Sequence, residues 1–192
     1  MRLPYTPNPP TPSSPAEAAV VARIAARRAP RPLQPLDLTL LHSPPVADGW
    51  NAFLGAIRTQ TTVPADLREL AISRVAVVNR AWYEWMHHAP LAVAAGVGEA
   101  GMGFAKREGA LVLGGELPEG LSERQWVVLC FADEMTRNVA VREGTFERLR
   151  GLFGEREVVE LTATIACYNM VSRFLVALDV GEKNGLGPDA AH

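Results

Sequence analysis

Apolar residues recur every three or four positions through most of the chain, and this spacing predicts helices. One predicted helix covers the segment after Pro64, where the apolar stripe consists of Leu67, Leu70, Ala71, Val75 and Val78. The polar positions Glu69, Ser73 and Arg80 are expected beside that stripe or at its edge. No segment has a convincing strand alternation. We therefore predict an all-α fold, a bundle of about seven to eight helices.

Polar residues and prolines mark where the predicted helices begin. Ser14 and Ser43 each precede a proline at the first helical position, and Ser122 has a glutamine three residues later. Pro90 falls inside a predicted helix, where it removes a backbone donor and crowds the preceding turn. We therefore expect a kink or a new helix start just after His88.

The chain is predicted to have one domain with an arm and a tail. Residues 1–15 hold six prolines and are expected to form an extended arm that is disordered or lies along a neighbouring subunit. This arm and the first helix make up 1–35, the helical domain covers 36–181, and a Gly-rich flexible tail covers 182–192.

Composition and charge exclude several classes of protein. Hydrophobic residues make up 48% of the 192 residues and charged residues 21%, as in ordinary soluble domains. A net charge of −2 gives no electrostatic reason to expect nucleic acid or an anionic membrane as a partner. Uninterrupted apolar runs such as 127–132 are too short to span a bilayer, and the N-terminus lacks the apolar core of a secretory signal. We expect a cytoplasmic protein.

The two cysteines, Cys130 and Cys167, lie far apart in apolar helical segments and form no C-x-x-C pair. Buried free thiols in a reducing compartment are therefore expected. A thiol-dependent antioxidant that uses one of them ranks last among the functions considered.

The stretch AWYEWMHH at 81–88 carries the candidate chemistry. Glu84 and His88 are four residues apart, so a helix places them on one face, where they can share a proton. A carboxyl group tuned by burial and a neighbouring imidazole suit proton-transfer catalysis near neutral pH. The alternative is a structural ion pair in a helix bundle, with Trp85 as a core residue. Two ligands at this spacing do not make a metal site, and none is expected.

The run LRELAISRVAVVNRAWYEWMHHAPLAVAAGV at 67–97 resembles the core of the carboxymuconolactone decarboxylase and alkylhydroperoxidase D-like superfamily. The resemblance extends over most of the chain after residue 36. In the peroxidase branch, a glutamate is followed twelve residues later by C-x-x-C-x-x-x-H. Glu69 matches that glutamate and His88 the histidine, while Ala81 and Glu84 occupy the cysteine positions.

The resemblance implies a function as well as an AhpD-like helical fold. Without the redox C-x-x-C, peroxidase chemistry cannot run at this position, and the motif is similar to the decarboxylase branch. Family members commonly assemble as trimers or hexamers, which implies a homo-oligomer. The leading hypothesis is a cofactor-free, carboxy-lyase-like enzyme, a lyase or isomerase, for a small carboxylated or lactone compound. Glu84 and His88 would transfer the proton, and Glu69 would orient His88 or polarise the substrate.

Four further residues are candidates for substrate binding: Arg74, Arg173, His42 and Trp85. The two arginines could each hold a substrate carboxylate, since a guanidinium pairs with it through two hydrogen bonds. Structural ion pairs are the alternative for both, and a turn residue is the alternative for His42. A non-catalytic oligomer that binds small molecules with the same fold is the second functional hypothesis.

Overall fold

The computed structural model describes residues 1–190, and the last two residues of the predicted tail lie outside the described residues. Within this range the chain forms helices and no strands, which confirms the all-α prediction. The α-helices are α1 (Pro15–Arg28), α2 (Pro35–Leu40), α3 (Pro44–Thr59), α4 (Ala65–Val78), α5 (Trp82–Ala94), α6 (Glu99–Lys106), α7 (Glu123–Asn138), α8 (Glu143–Leu152) and α9 (Glu155–Leu178), followed by a 3-10 helix at Val180–Glu182. The described residues contain nine α-helices, whereas seven to eight are predicted, and α2 has only six residues.

Two compact units divide the described chain. The first consists of 1–61 and 178–182, and the second of 62–177 and the residues after 182. The first unit therefore contains α1 to α3, and the second contains α4 to α8 and nearly all of α9.

The proline-rich arm packs within the first unit. Its prolines predict an arm that is disordered or lies along a neighbouring subunit. The backbone N–H of Arg2 donates to the Leu178 carbonyl at 2.8 Å, and the Thr6 hydroxyl donates to the Leu38 carbonyl at 2.7 Å. Tyr5 donates to the Glu182 carboxylate at 3.1 Å. These bonds satisfy backbone groups that proline-rich sequence cannot pair in a helix.

Arginines along α1 form ion pairs within the first unit. Ser14 caps α1 as predicted, accepting a hydrogen bond from the Glu17 amide. From the last turn of α1, Arg28 donates to both oxygens of Asp37 at 2.7 and 2.8 Å. Asp37 is buried, and Arg23 makes a similar two-bond pair with the exposed Asp48. Acids on α2 and α3 therefore pair with these two arginines.

The core of the second unit surrounds α4, which is buried along nearly its whole length. Leu70, Ile72 and Val75 are fully buried, and the polar Glu69 and Ser73 are buried with them. Polar positions off the predicted apolar stripe are therefore buried as well, because α4 packs against α5, α6 and α7 together. A helix surrounded in this way has no solvent face.

The helix α5 passes through Pro90 without interruption and ends at Ala94, so no new helix starts after His88. The helical conformation is interrupted between α4 and α5, near residues 79–81. Asn79 ends α4, Arg80 adopts a positive φ of 53°, and α5 begins at Trp82. This tight connection makes α4 and α5 an antiparallel hairpin.

The apolar helix α9 meets the length and composition of a membrane span, as no other described helix does. Its residues Leu161, Ile165 and Leu175 are nonetheless buried inside the fold. Burial of this kind is typical of the central helix of a packed domain.

Arg74 holds four chain segments together from the centre of the second unit. Its side chain is fully buried and donates to Asp133 on α7 and to the carbonyls of Ala105, Arg107 and Gly109. All five guanidinium N–H groups can be satisfied by these partners. Burial lowers the pKa of Arg74, and the neighbouring Asp133 carboxylate opposes that effect.

Replacing Arg74 with methionine should destabilise the protein by about 3–5 kcal/mol, because the buried Asp133 carboxylate loses its fully buried partner and the carbonyls of Ala105, Arg107 and Gly109 lose this donor. Urea denaturation followed by circular dichroism measures the loss. The control is Arg150→Met, since Arg150 is exposed and pairs only with exposed Glu147. The control should unfold at nearly the wild-type urea concentration. Equal midpoints for the two variants would contradict the structural role of Arg74.

Candidate active site

The antiparallel hairpin of α4 and α5 brings Glu69 and His88 together. They lie at similar distances from the turn at Arg80, one on each helix, and Nδ1 of His88 is 2.6 Å from Oε2 of Glu69. Both side chains are buried. A bond of this length to a carboxylate is charge-assisted. The predicted role of Glu69 as the residue that orients His88 therefore has a direct geometric basis.

Two further side chains surround this pair. Arg68 places its Nε 3.4 Å from the other oxygen of Glu69, which favours the ionised carboxylate. The ring of Tyr168, from α9, meets the His88 ring edge to face, with centroids 4.8 Å apart. The imidazole is thus held by a hydrogen bond on one side and an aromatic contact on another.

Glu84 is bonded to a different partner from the one expected. Its two carboxyl oxygens lie 3.1 and 3.0 Å from Oγ of Ser172 on α9, while the Nδ1 of His88 bonds to Glu69. The prediction that Glu84 and His88 form the central pair therefore needs correction. Helical spacing places both on one face of α5, but the residues that pack against that face decide their partners.

Burial raises the pKa of Glu84 well above its ordinary value, and the Ser172 hydroxyl opposes that shift only in part. Glu84 is 2% exposed, so its ionised form would have little water to solvate it. The site therefore contains one carboxyl group that favours the protonated form and another, Glu69, that is bonded to cationic or proton-donating partners.

The other predicted substrate-binding residues lie in different environments. All of the Arg74 donors are used within the protein, which favours the structural alternative for that residue. Arg173 is exposed and donates to Asn169, one turn earlier on α9. His42 belongs to the first unit, where its Nε2 lies 2.7 Å from the Pro4 carbonyl oxygen. The indole N–H of Trp85 donates to the Pro188 carbonyl from within the core, so Trp85 is a packing residue.

Sequence reasoning missed Arg68, Tyr168 and Ser172. The last two are four residues apart on α9, so they share a helix face, and that spacing within an apolar helix was a usable signal. The spacing does not show which helix packs against this face. The sequence therefore indicates the neighbouring Arg173, and not Ser172, as a candidate for the site. No motif or spacing in the sequence singles out Arg68, although it is adjacent to Glu69.

Both cysteines are buried thiols. Burial raises the pKa of Cys130 and of Cys167 to about 12, with the charge of Glu84 adding to the effect at Cys167. Neither is therefore a thiolate at neutral pH, which the antioxidant hypothesis would require. Among residues 1–190, no group of three or more metal-ligating side chains could hold a metal ion.

Comparison with known proteins adds evidence on the family. The sequence model of the carboxymuconolactone decarboxylase family matches residues 44–116, a stretch that contains Glu69, Glu84 and His88. No curated protein sequence matches this chain.

Solved structures with the same fold are distant in sequence. A protein of unknown function from Agrobacterium tumefaciens, ATU0492, provisionally described as an antioxidant defence protein AhpD, has 18% identity and a TM-score of 0.59, covering 72% of this chain and 90% of that one. The debrominase Bmp8 in its apo form has 18% identity and a TM-score of 0.67, covering 86% and 85%. A cysteine-to-alanine variant of Bmp8 in complex with 2,3,4-tribromopyrrole has 17% identity and a TM-score of 0.68, covering 88% and 89%.

At these identities the solved structures establish the helical fold alone. The matched stretch carries the glutamate and histidine positions on which the sequence resemblance was based. Residues 44–116 of this chain thus match the carboxymuconolactone decarboxylase family, and its helical fold is similar to that of the AhpD-like and debrominase structures.

Proposed function

We propose that this protein is a lyase or isomerase that transfers a proton to or from a small carboxylated or lactone compound without a cofactor. The observation that carries the proposal is the buried hydrogen bond between His88 and Glu69, one helical turn from the buried carboxyl group of Glu84, whose pKa is raised. The match of residues 44–116 to the decarboxylase family supports a small organic acid as substrate. The proposal also includes a cytoplasmic location and assembly into a homo-oligomer.

His88 is the proposed base. When its Nδ1–H donates to Glu69, the Nε2 atom becomes the nitrogen that accepts a proton. The carboxylate then stabilises the imidazolium that forms, as an acid does behind a catalytic histidine in other enzymes. Arg68 helps to keep Glu69 ionised and therefore able to play this part.

Glu84 is the proposed acid. Burial raises its pKa well above the ordinary carboxyl value, and a raised pKa favours the protonated form that a general acid needs. Ser172 bonds to the same carboxyl group and fixes its orientation. Two groups with opposite protonation preferences on one helix provide both halves of an acid–base reaction.

In a decarboxylation, the bond between the substrate carbon and its carboxylate breaks and carbon dioxide leaves. The electron pair moves into the adjoining unsaturated system as an enolate. His88, which has first accepted a proton from solvent at Nε2, would donate a hydrogen bond to the enolate oxygen, and Glu84 would protonate the carbon. Solvent returns the proton to Glu84, so the net change is loss of carbon dioxide and gain of one proton.

Non-catalytic binding of a small molecule is the second candidate function. The close packing around the site favours it, since Glu84 is 2% and His88 6% exposed. A cavity of about 560 Å³ also lies elsewhere in the second unit, and neither residue lines it. Ligand binding without turnover would favour this candidate over the enzyme.

Single substitutions should separate catalysis from packing. Turnover of candidate lactone acids, followed by ultraviolet absorbance, should fall at least about a hundredfold in Glu84→Gln, His88→Ala and Glu69→Gln. The matched control is His87→Gln, because His87 neighbours His88 on α5 but is exposed, and its Nδ1 lies 2.7 Å from the Tyr83 carbonyl oxygen one turn earlier. Turnover that survives in both Glu84→Gln and His88→Ala would rule out the assignment.

The raised pKa of Glu84 also predicts how stability depends on pH. The folded protein holds this proton more tightly than the unfolded chain, so the stabilisation is fully present below the ordinary value of 4.5. It is lost as the pH rises from 4.5 towards the raised pKa of the folded protein. Glu84→Gln removes this loss, and its free energy of unfolding relative to wild type should increase with pH by up to about 1.4 kcal/mol per unit.

Urea titrations at a series of pH values measure this difference. Glu119→Gln is the control, because that side chain is exposed and its variant should follow the wild-type pH dependence. A constant difference between Glu84→Gln and wild type from pH 4 upward would show that Glu84 is ionised in the folded protein.

A further inference from the structure

The second unit contains a cavity of about 560 Å³ that is separate from the residues of the candidate active site. It lies where the connector after α6 passes the first turns of α7 and α8. Leu113, Trp126 and Val127 form apolar parts of its lining. The side chains of Arg142 and Arg148 line it as well, together with Glu123, the acid that pairs with Arg148. Sites for small organic ligands are clefts of roughly 300–1,000 Å³ with such an apolar lining and a few polar groups.

The apolar side chains that line the cavity are held in place by packing. Trp126 is only 9% exposed and packs edge to face against Phe104, with ring centroids 5.2 Å apart. Val127 behind it is fully buried. A flat apolar ring is the ligand shape that gains most from contact with a fixed indole, since aromatic pairs add to the free energy of area burial.

The two arginines are anchored by acids and still have donors to offer. Arg142 donates through Nε and Nη2 to Glu134, a carboxylate whose side chain is 4% exposed, and its Nη1 has no hydrogen bond to any described residue. Arg148 pairs with Glu123 through Nη2. A guanidinium fixed on one edge can donate two parallel bonds to a carboxylate on the other edge.

The start of α8 adds to the preference for an anion. Gly144 lies in the first turn of α8 and lines the cavity. The Thr145 amide already donates to the Arg142 carbonyl, and the start of a helix favours a negative charge beside it. A methyl group added at Gly144 would meet no atom within 4 Å, so the space beside this glycine is open.

We propose that this cavity is a binding site for a small aromatic carboxylate. The ring lies against Trp126, Val127 and Leu113, and the carboxylate accepts hydrogen bonds from Arg142 and Arg148. The site is independent of the Glu69–His88 pair, so the proposal does not rest on the function proposed above.

Isothermal titration calorimetry with benzoate tests the site, and benzamide serves as the neutral ligand of the same shape. Benzoate should bind the wild-type protein, and benzamide should bind at least about tenfold more weakly. Arg148→Met should weaken benzoate by about tenfold and leave benzamide unchanged, because only the charged ligand uses the guanidinium.

Filling the cavity supplies a matched pair of variants. Gly144→Leu places a side chain in the cavity and should abolish benzoate binding. Gly151→Leu makes the same change in the same helix at an exposed position outside the cavity, and should bind as wild type does. Both changes replace a helical glycine with a better helix former, so both variants should fold.

Several outcomes would overturn the proposal. Failure of benzoate, phenylacetate and 2-naphthoate to bind wild type at millimolar concentration is one, and undiminished benzoate binding to Gly144→Leu is another. Loss of benzoate binding in His88→Ala, with retention in Gly144→Leu, would place the ligand at the active site instead. A change of oligomeric state in Gly144→Leu, seen by sedimentation with no effect on ligand binding, would assign the cavity to a subunit interface.

Discussion

The hydrogen bond between His88 and Glu69 is the interaction on which the proposed chemistry depends, and the packing of α4 against α5 makes it possible. Two groups that water would solvate separately are buried together, where the loss of hydration is offset by a short charge-assisted bond. Removing either partner would leave the other buried and unsatisfied. The hairpin turn at Arg80 sets the register of the two helices, and this register brings the two residues opposite each other.

Burial affects the acidic residues of this unit differently according to their partners. Asp133 has Arg74 and Arg137 beside it and serves as an anchor of the fold. Glu134 is likewise matched by Arg142, which lowers its pKa despite the burial of its side chain. Glu84 accepts from the Ser172 hydroxyl and has no cationic hydrogen-bond partner among residues 1–190, so desolvation dominates and raises its pKa. A buried acid without such a partner is the kind of group that enzymes use as a proton donor.

The sequence predicted much of the fold, and the Glu69 and His88 side chains that it singled out are hydrogen-bonded to each other in the structure. Serine caps and prolines located the starts of α1, α3 and α7, because these signals act on the nearest backbone amides. The new helix start expected after His88 is absent, because α5 continues through Pro90 to Ala94 despite the missing donor. The family resemblance selected Glu69 and His88 from many polar residues, which periodicity alone could not have done.

What the sequence determined by itself is local: the helical period, the caps, the absence of a C-x-x-C pair and the placement of Glu84 and His88 on one face of α5. Only the tertiary structure decided that His88 bonds to Glu69 and that Ser172 bonds to Glu84. It also decided that Arg74 pairs with Asp133 inside the core. The physical reason is that helix spacing fixes neighbours within about one turn. Partners that are 19 or 88 residues apart are set by which helices pack together and in what register.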